Sequence, residues 1–404
     1  MNKITLVATA TMGLEALVAR EVKDLGYENV EVENGKVTFT ADPLALCRAN
    51  LWLRTADRVK VQLAEFKATS FEELFQGTKS VPWEQFLPEN AEFPVIGRSV
   101  KSKLYSVPDC QAIVKKAVVE RLKETYKTSW FKEDGPFFRI EVALHKDTAV
   151  LTIDSSGEGL HRRGYRPLHS KAPLKETLAA GLIKLTHWTP DKPFADPFCG
   201  SGTLPIEAAL IGQNIAPGFN REFAAESWEW VGKENWEKAR EEAEDLANYD
   251  QPLDIQGSDL DPKMIDLAKD NTMEAGLHGL IEYKQMQVKD FTSKKEYGTL
   301  ICNPPYGERL GEKKAVEEMY KDMGRTFSAL ETWSVYVITS HEALKIYTEK
   351  MPRSEGNFIT EILKPNTISI GDQSRQGGNT HDMKRLLRII SAAFFGTLLK
   401  RSSQ

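Results

Sequence analysis

The stretch Pro193–Gly212, PFADPFCGSGTLPIEAALIG, decides the fold. Pro193–Asp196 reads as a short strand, Gly200-Ser201-Gly202 as a Gly-x-Gly turn, and Leu204–Ile211 as an apolar helix beginning near Thr203. A strand, a glycine turn and a helix N-terminus in succession make a cradle where a ligand can meet bare backbone. The turn is not Gly-x-Gly-x-x-Gly, and it lacks the Lys-Ser/Thr of a phosphate loop. Asp196, ahead of the glycines, would repel a pyrophosphate and suits a cationic ligand.

The rest of the C-terminal half continues the same alternation. Strands are expected at Leu253–Asp259, Ile281–Gln285, Thr299–Cys302 and Trp333–Ser340, with helices beginning near Pro262 and Ala315. Strands of near-continuous apolar content alternating with helices predict a parallel, doubly wound α/β sheet. In such sheets ligands bind beyond the carboxyl ends of the strands.

Three further elements fall at those ends. Asp259 closes its strand where a nucleoside ribose would present two hydroxyls to a carboxylate, whereas Asp261 precedes Pro262 as a helix cap. Asp290, in Val288-Lys289-Asp290-Phe291, can accept an adenine amino group with Phe291 packed beside the ring. Asn303-Pro304-Pro305-Tyr306 directly follows an apolar strand. Four specified letters of this kind arise by chance in roughly one chain in a thousand of this length, so the run carries information. The prolines fix a turn, Asn303 and the Pro304 carbonyl can accept from a planar amino group, and Tyr306 can stack on an extruded base. A conjugated amine is a poor nucleophile that needs positioning and desolvation more than a strong base. With Asp196 awaiting an ammonium and Asp259 a ribose, the ligand chemistry points to S-adenosylmethionine.

The N-terminal part reads differently. Ile4–Ala8 and Lys36–Phe39 are strands, and Leu14, Leu17, Val18 and Val22 share a helix face that stops near Gly26. A helix follows at Gln111–Tyr126. Strands Phe138–Leu144 and Thr148–Asp154 are joined by a tight His145-Lys146-Asp147 turn, and Ser155–Gly159 is turn chemistry that marks a linker. No early apolar run or membrane-length stretch appears, so a cytoplasmic location is expected. The four cysteines are far apart and the seven histidines lack ligand spacing, so no metal is expected. The net charge of −5 hides local fields. Acid gathers in residues 222–250. Cations gather at Arg98, Lys101, Lys103, Lys115, Lys116, Arg121, Lys123, Lys127 and Lys132, and again in His161-Arg162-Arg163-Gly164-Tyr165-Arg166. The helical part of the first group fits a solvated face equally well. The second, with Tyr165 among its arginines, is expected to be a functional, nucleic-acid-facing cluster.

Asp196–Thr203 (Asp196, Phe198, Cys199, Gly200, Ser201, Gly202, Thr203), Asp259 and Asn303–Tyr306 resemble motifs I, II and IV of class I methyltransferases that act on amino groups. Leu160–Arg166 (LHRRGYR) and Ala172–Ala180 (APLKETLAA) are more particular, and with them residues 1 to about 349 resemble the bacterial THUMP-domain RNA methyltransferases related to the large-subunit rRNA guanine-N2 enzyme. The resemblance implies a ferredoxin-like α+β domain over 1–65, a THUMP domain over 66–155, a linker over 156–170 and a Rossmann-like α/β methyltransferase domain over 171–349. It also implies Lys175, Glu176 and Thr177 near the cofactor, structured RNA as partner (rRNA ahead of tRNA) and N2-methylguanine as product. DNA adenine-N6 and protein glutamine methylation remain open from the Asn303–Tyr306 turn alone, as does a non-catalytic RNA-binding role.

Beyond Lys350 the likeness stops. Members of the family end in a Leu-Tyr-Asn-Gly hairpin and a Tyr-Tyr-Gln-Tyr-Trp strand, where this chain has MPRSEGNFITEILKPNTISIG over residues 351–371. Codons for that string, read from the third base of each preceding codon, can give NAKKRRELYNGNIETEYYQYW. Residues 350–404 are therefore expected to be the product of a frameshift in the gene or in its reading.

Overall fold

Residues 3–166, 174–305 and 313–338, together with Glu361–Leu363 and Ile368–Ile370, are described by a computed structural model. In chain order the elements are β1 (Ile4–Ala10), α1 (Glu15–Asp24), β2 (Glu31–Glu33), β3 (Lys36–Ala41), α2 (Pro43–Trp52) and β4 (Ala56–Lys67). Next come α3 (Phe71–Lys79), β5 (Val95–Val100), α4 (Val107–Tyr126), β6 (Arg139–His145) and β7 (Thr148–Asp154). The C-terminal half contributes α5 (Glu176–Leu185), β8 (Phe194–Asp196), α6 (Thr203–Gly212), α7 (Lys233–Asp245), β9 (Ile255–Asp259), α8 (Pro262–Glu274) and β10 (Ile281–Gln285). It closes with β11 (Thr299–Cys302), α9 (Lys313–Ser328), β12 (Ser334–Val337), β13 (Glu361–Leu363) and β14 (Ile368–Ile370).

The chain divides into two compact units, the first built from Met1–Ala10, Val18–Leu160 and Arg221–Asp245. Its sheet has the order β2-β3-β1-β4-β7-β6-β5, with only the β5–β6 pair parallel. The long strand β4 pairs with β1 through Ala56–Gln62 and with β7 through Lys60–Lys67. One continuous sheet therefore crosses position 65, where a domain boundary is expected from the sequence. Alternation sends Leu6, Phe39, Val61, Ile140 and Val142 inward, against Leu46 and Leu51 of α2 and Val114, Val118 and Leu122 of α4. The β6–β7 turn has Lys146 and Asp147 at φ 50° and 61°, the left-handed pair that suits a two-residue hairpin.

The acidic segment after α6 holds a feature hidden by its charge. Its Phe223, Trp228 and Trp236 belong to the first unit's core, where Trp228 stacks on Phe138 with ring centroids 4.7 Å apart and donates Nε1–H to the Phe137 carbonyl at 3.0 Å. Trp236 stacks on Phe223 at 5.2 Å, and Glu242 of α7 pairs with Arg48 of α2 at 2.6 Å.

The second unit holds the sheet β10-β9-β8-β11-β12, parallel throughout. Counted along the chain its strands run 3-2-1-4-5, the doubly wound order with its switch point between β8 and β11. All residues of β8 and β11 are buried, which accounts for their apolar content. Among the described residues no helix is long and apolar enough to cross a membrane. The expected departure over 350–404 lies outside the described residues, except that β13 and β14 pair antiparallel.

Candidate active site

The fold brings Asp196, Asp259 and Asn303 to the carboxyl ends of the adjacent strands β8, β9 and β11. Asp196 is buried at the end of β8, and its Oδ1 accepts the Phe198 N–H at 3.0 Å. The turn that follows is held from β9 and α8. Cys199 N–H donates to the Ser258 carbonyl at 2.9 Å, Gly200 N–H to Asp259 Oδ2 at 3.1 Å, and Asn271 Nδ2 to the Ser201 carbonyl at 2.9 Å. Asn271, buried on α8, is a supporting residue that sequence reasoning missed, because nothing local links it to a turn 70 residues away.

The two glycines have different reasons. Gly202 has φ +85°, and a Cβ there would lie 2.7 Å from Tyr283 Oη and 3.1 Å from Ala268 Cβ. Gly200 has φ +50°, and a Cβ would meet nothing within 4 Å. One glycine is required by packing, and the other opens onto free space. Gly202 precedes α6 without any side-chain cap, so the N–H groups of the first turn at Thr203 are left for a ligand.

The second carboxylate is aimed by two loops: Asp259 Oδ1 accepts from Asp261 N–H at 2.9 Å while Oδ2 holds Gly200. Asp261 caps α8 through Lys263 N–H at 2.9 Å. Leu260, between them, is 62% exposed, an apolar side chain left uncovered at a strand end. Asp290 is exposed, whereas Phe291 is buried against Trp333. Phe291 is thus packed in the core that Trp333 belongs to.

Burial dominates the electrostatics. It pushes the Asp196 carboxyl well above the usual range, and the nearby Asp259 adds to this against the Phe198 N–H. The Cys199 and Cys302 thiols are likewise pushed up by burial, so neither is a thiolate nucleophile. After β11, Asn303 is half-buried, Pro304 buried and Pro305 exposed, and Tyr306 lies outside the described residues.

The basic knot is corrected by the structure. Arg163 is buried, and its Nε and Nη2 lie 3.2 and 3.3 Å from the Glu207 carboxylate of α6, which Tyr165 Oη reaches at 3.3 Å. Arg166 pairs with Glu176. Of the three arginines only Arg162 is exposed, so Arg163, Tyr165 and Arg166 are not free to grip RNA. An acid far along the chain offered the guanidinium a buried partner. Arg163→Met should lower the unfolding free energy by about 3–5 kcal/mol, checked by urea denaturation, with no loss of RNA affinity.

The first cationic group divides. On α4, Lys115 pairs with Glu133 at 2.8 Å, Arg121 with Glu84 at 2.6 Å and Lys123 with Glu120 at 3.0 Å. Lys101 and Lys103 are exposed and make no ion pair among the described residues, and Arg98 is 65% exposed beside Glu141. Of the residues at α5 that the resemblance sets near the cofactor, Lys175 is exposed and Glu176 and Thr177 are buried. Thr177 Oγ1 has no hydrogen-bond partner among the described residues.

Three family models match in chain order: the RlmL ferredoxin-like domain at residues 5–60, the THUMP domain at 68–154, and the RMKL-like methyltransferase domain at 163–358. The Bacillus subtilis (strain 168) protein named "Putative RNA methyltransferase YpsC" is 64% identical over 344 residues, which are 85% of this chain and 89% of that one. The chain belongs to the RMKL-like methyltransferase family. Another member, the Ribosomal RNA large subunit methyltransferase K/L of Photobacterium profundum, is 31% identical over 92% of this chain and 54% of its own. Among solved structures, a Listeria monocytogenes protein described as a "predicted N6-adenine-specific DNA methylase" is 58% identical. It matches with a TM-score of 0.84 over 87% of this chain and 92% of its own. The structure of SMU.472 complexed with SAH is 47% identical and matches with a TM-score of 0.82 over 86% of this chain and 93% of its own. The expected order of ferredoxin-like, THUMP and Rossmann-like methyltransferase parts is borne out.

Proposed function

We propose that this RMKL-like methyltransferase transfers the methyl group of S-adenosylmethionine to the exocyclic N2 amine of a guanine in 23S rRNA, in the cytoplasm. The observation that carries the reading is the convergence of Asp196, Asp259 and Asn303 at the switch point of the parallel sheet. The residues fit the cofactor. A buried carboxylate waits for an ammonium, open space adjoins Gly200, an oriented carboxylate faces where ribose hydroxyls would lie, and Thr177 Oγ1 is buried without a partner among the described residues. Leu260 and Asp290 would flank the adenine.

When bound, the cofactor supplies an electrophilic methyl on sulfur. Asn303 Oδ1 and the Pro304 carbonyl would accept the two amine N–H groups and turn the nitrogen lone pair toward that methyl. Transfer to that lone pair would exchange the carbon–sulfur bond for a carbon–nitrogen bond, leave S-adenosylhomocysteine and release the amine proton to solvent. Positioning of this kind replaces a strong base. Tyr306 would stack on the base drawn out of its helix. The exposed Arg98, Lys101 and Lys103, on and after edge strand β5, and exposed Arg162 support a polyanionic partner.

Methyl transfer from tritiated S-adenosylmethionine to RNA of a deletion strain, followed by nucleoside analysis, tests the reading. Label is expected in N2-methylguanosine of the large rRNA. Label in tRNA, in N6-methyladenine of DNA or in protein would overturn it.

A further inference from the structure

Segment Leu160–Arg166 carries three arginines and, instead of facing solvent, fastens itself to the two helices that flank the glycine turn. Arg163 and Tyr165 converge on Glu207 of α6. Arg166 reaches farther. Its Nε donates to Glu176 Oε1 of α5 at 2.7 Å, its Nη2 contacts the same oxygen and the Leu174 carbonyl at 3.3 Å, and its Nη1 lies 3.5 Å from Ser201 Oγ. Ser201 stands between the two glycines, and Asn271 holds its carbonyl. The turn is therefore held at the backbone of Ser201 by Asn271 and approached at its side chain by Arg166.

Burying such charges is weak evidence of stabilisation. The side chains of Arg166 and Glu176 are only 11% and 7% exposed, and desolvation offsets most of the attraction between them, so an apolar pair of similar volume would serve stability equally well. What an apolar pair could not do is direct a planar fork of donors at acceptors on two pieces of chain, Leu174 to Glu176 and Ser201.

We infer that Arg166 and Glu176 are positioning residues for the cofactor turn. Glu176 orients the guanidinium, the guanidinium fixes Ser201, and Ser201 fixes the backbone N–H groups from Gly200 to Thr203. Neither side chain needs to touch the ligand. The inference rests on the reading of this turn as the cofactor site, and it replaces the RNA contact expected of Arg166.

Titration calorimetry of the full chain with S-adenosylhomocysteine, thermal unfolding, and filter binding of deproteinised bulk 23S rRNA test it in the wild type, Arg166→Met, Glu176→Gln and the double variant Arg166→Met with Glu176→Met. Both single variants should bind S-adenosylhomocysteine tenfold or more weakly, with RNA affinity within twofold of wild type. The double variant leaves no lone buried charge, so its unfolding temperature should return toward wild type while its affinity for S-adenosylhomocysteine stays at least tenfold down. Recovery of that affinity together with the unfolding temperature would reduce the pair to a packing role and overturn the inference. So would a single variant that binds S-adenosylhomocysteine as wild type does, or one that loses RNA alone. Failure of the wild type to bind S-adenosylhomocysteine would instead strike the reading of the site itself.

Discussion

Asn303→Ala should slow methyl transfer roughly 100- to 1,000-fold at saturating substrates, the usual size of the loss when one preorganised polar contact to the reacting group is removed. The affinity for S-adenosylhomocysteine should stay within about threefold, because the carboxylates proposed to hold the cofactor, Asp196 and Asp259, stand on β8 and β9 and not on β11. The physical reason is the electronic state of the target. An amine conjugated to a purine holds its lone pair in the ring's π system, and only acceptors on its two N–H groups can favour the pyramidal geometry that reacts. Asn303 stands where β11 ends, and Ile338 N–H donates to the Cys302 carbonyl just before it at 2.9 Å. The backbone at that point is therefore fixed whatever side chain follows. Single-turnover rates and calorimetry check the two halves. Equal losses of rate and of cofactor affinity would mean that Asn303 is structural.

Asp196→Asn should have opposite effects on folding and on binding. In the ligand-free protein the Asp196 carboxyl is raised by burial and by Asp259. A raised acid contributes stability that is fully present below the ordinary carboxylate range and is lost as pH rises through its elevated folded-state value. Above the ordinary carboxylate range the native protein therefore bears the cost of this displaced titration, which asparagine does not have, and Asn Oδ1 can still accept the Phe198 N–H. The unfolding temperature of the ligand-free variant should exceed that of wild type at pH 8, by roughly 2–4 °C for each kcal/mol relieved, and the difference should vanish near pH 4. Affinity for S-adenosylhomocysteine at pH 8 should fall about 10- to 100-fold, the worth of one charge-assisted hydrogen bond. Scanning calorimetry at the two pH values and titration at pH 8 check this. A variant that is less stable yet binds normally would refute the ammonium-binding role of Asp196.

The sequence by itself determined the local chemistry of this protein. Strand ends at Asp196, Asp259 and Cys302, helix starts at Thr203 and Pro262, and the hairpin turn at Lys146-Asp147 are where the residues alone put them. Apolar runs, glycines needing positive φ and prolines act over a few residues, so a linear reading captures them. The tertiary structure alone decided which way charged and aromatic side chains face. Arg163 and Arg166 looked like a surface patch until Glu207 and Glu176 gave them buried partners. Trp228 and Trp236 sat in an acidic run that proved to belong to the first unit's core. Phe291 turned inward and Leu260 outward, which neither residue's letter decides. The direction of such a side chain depends on partners brought close only by folding, and a buried guanidinium spells the same in sequence as a solvated one.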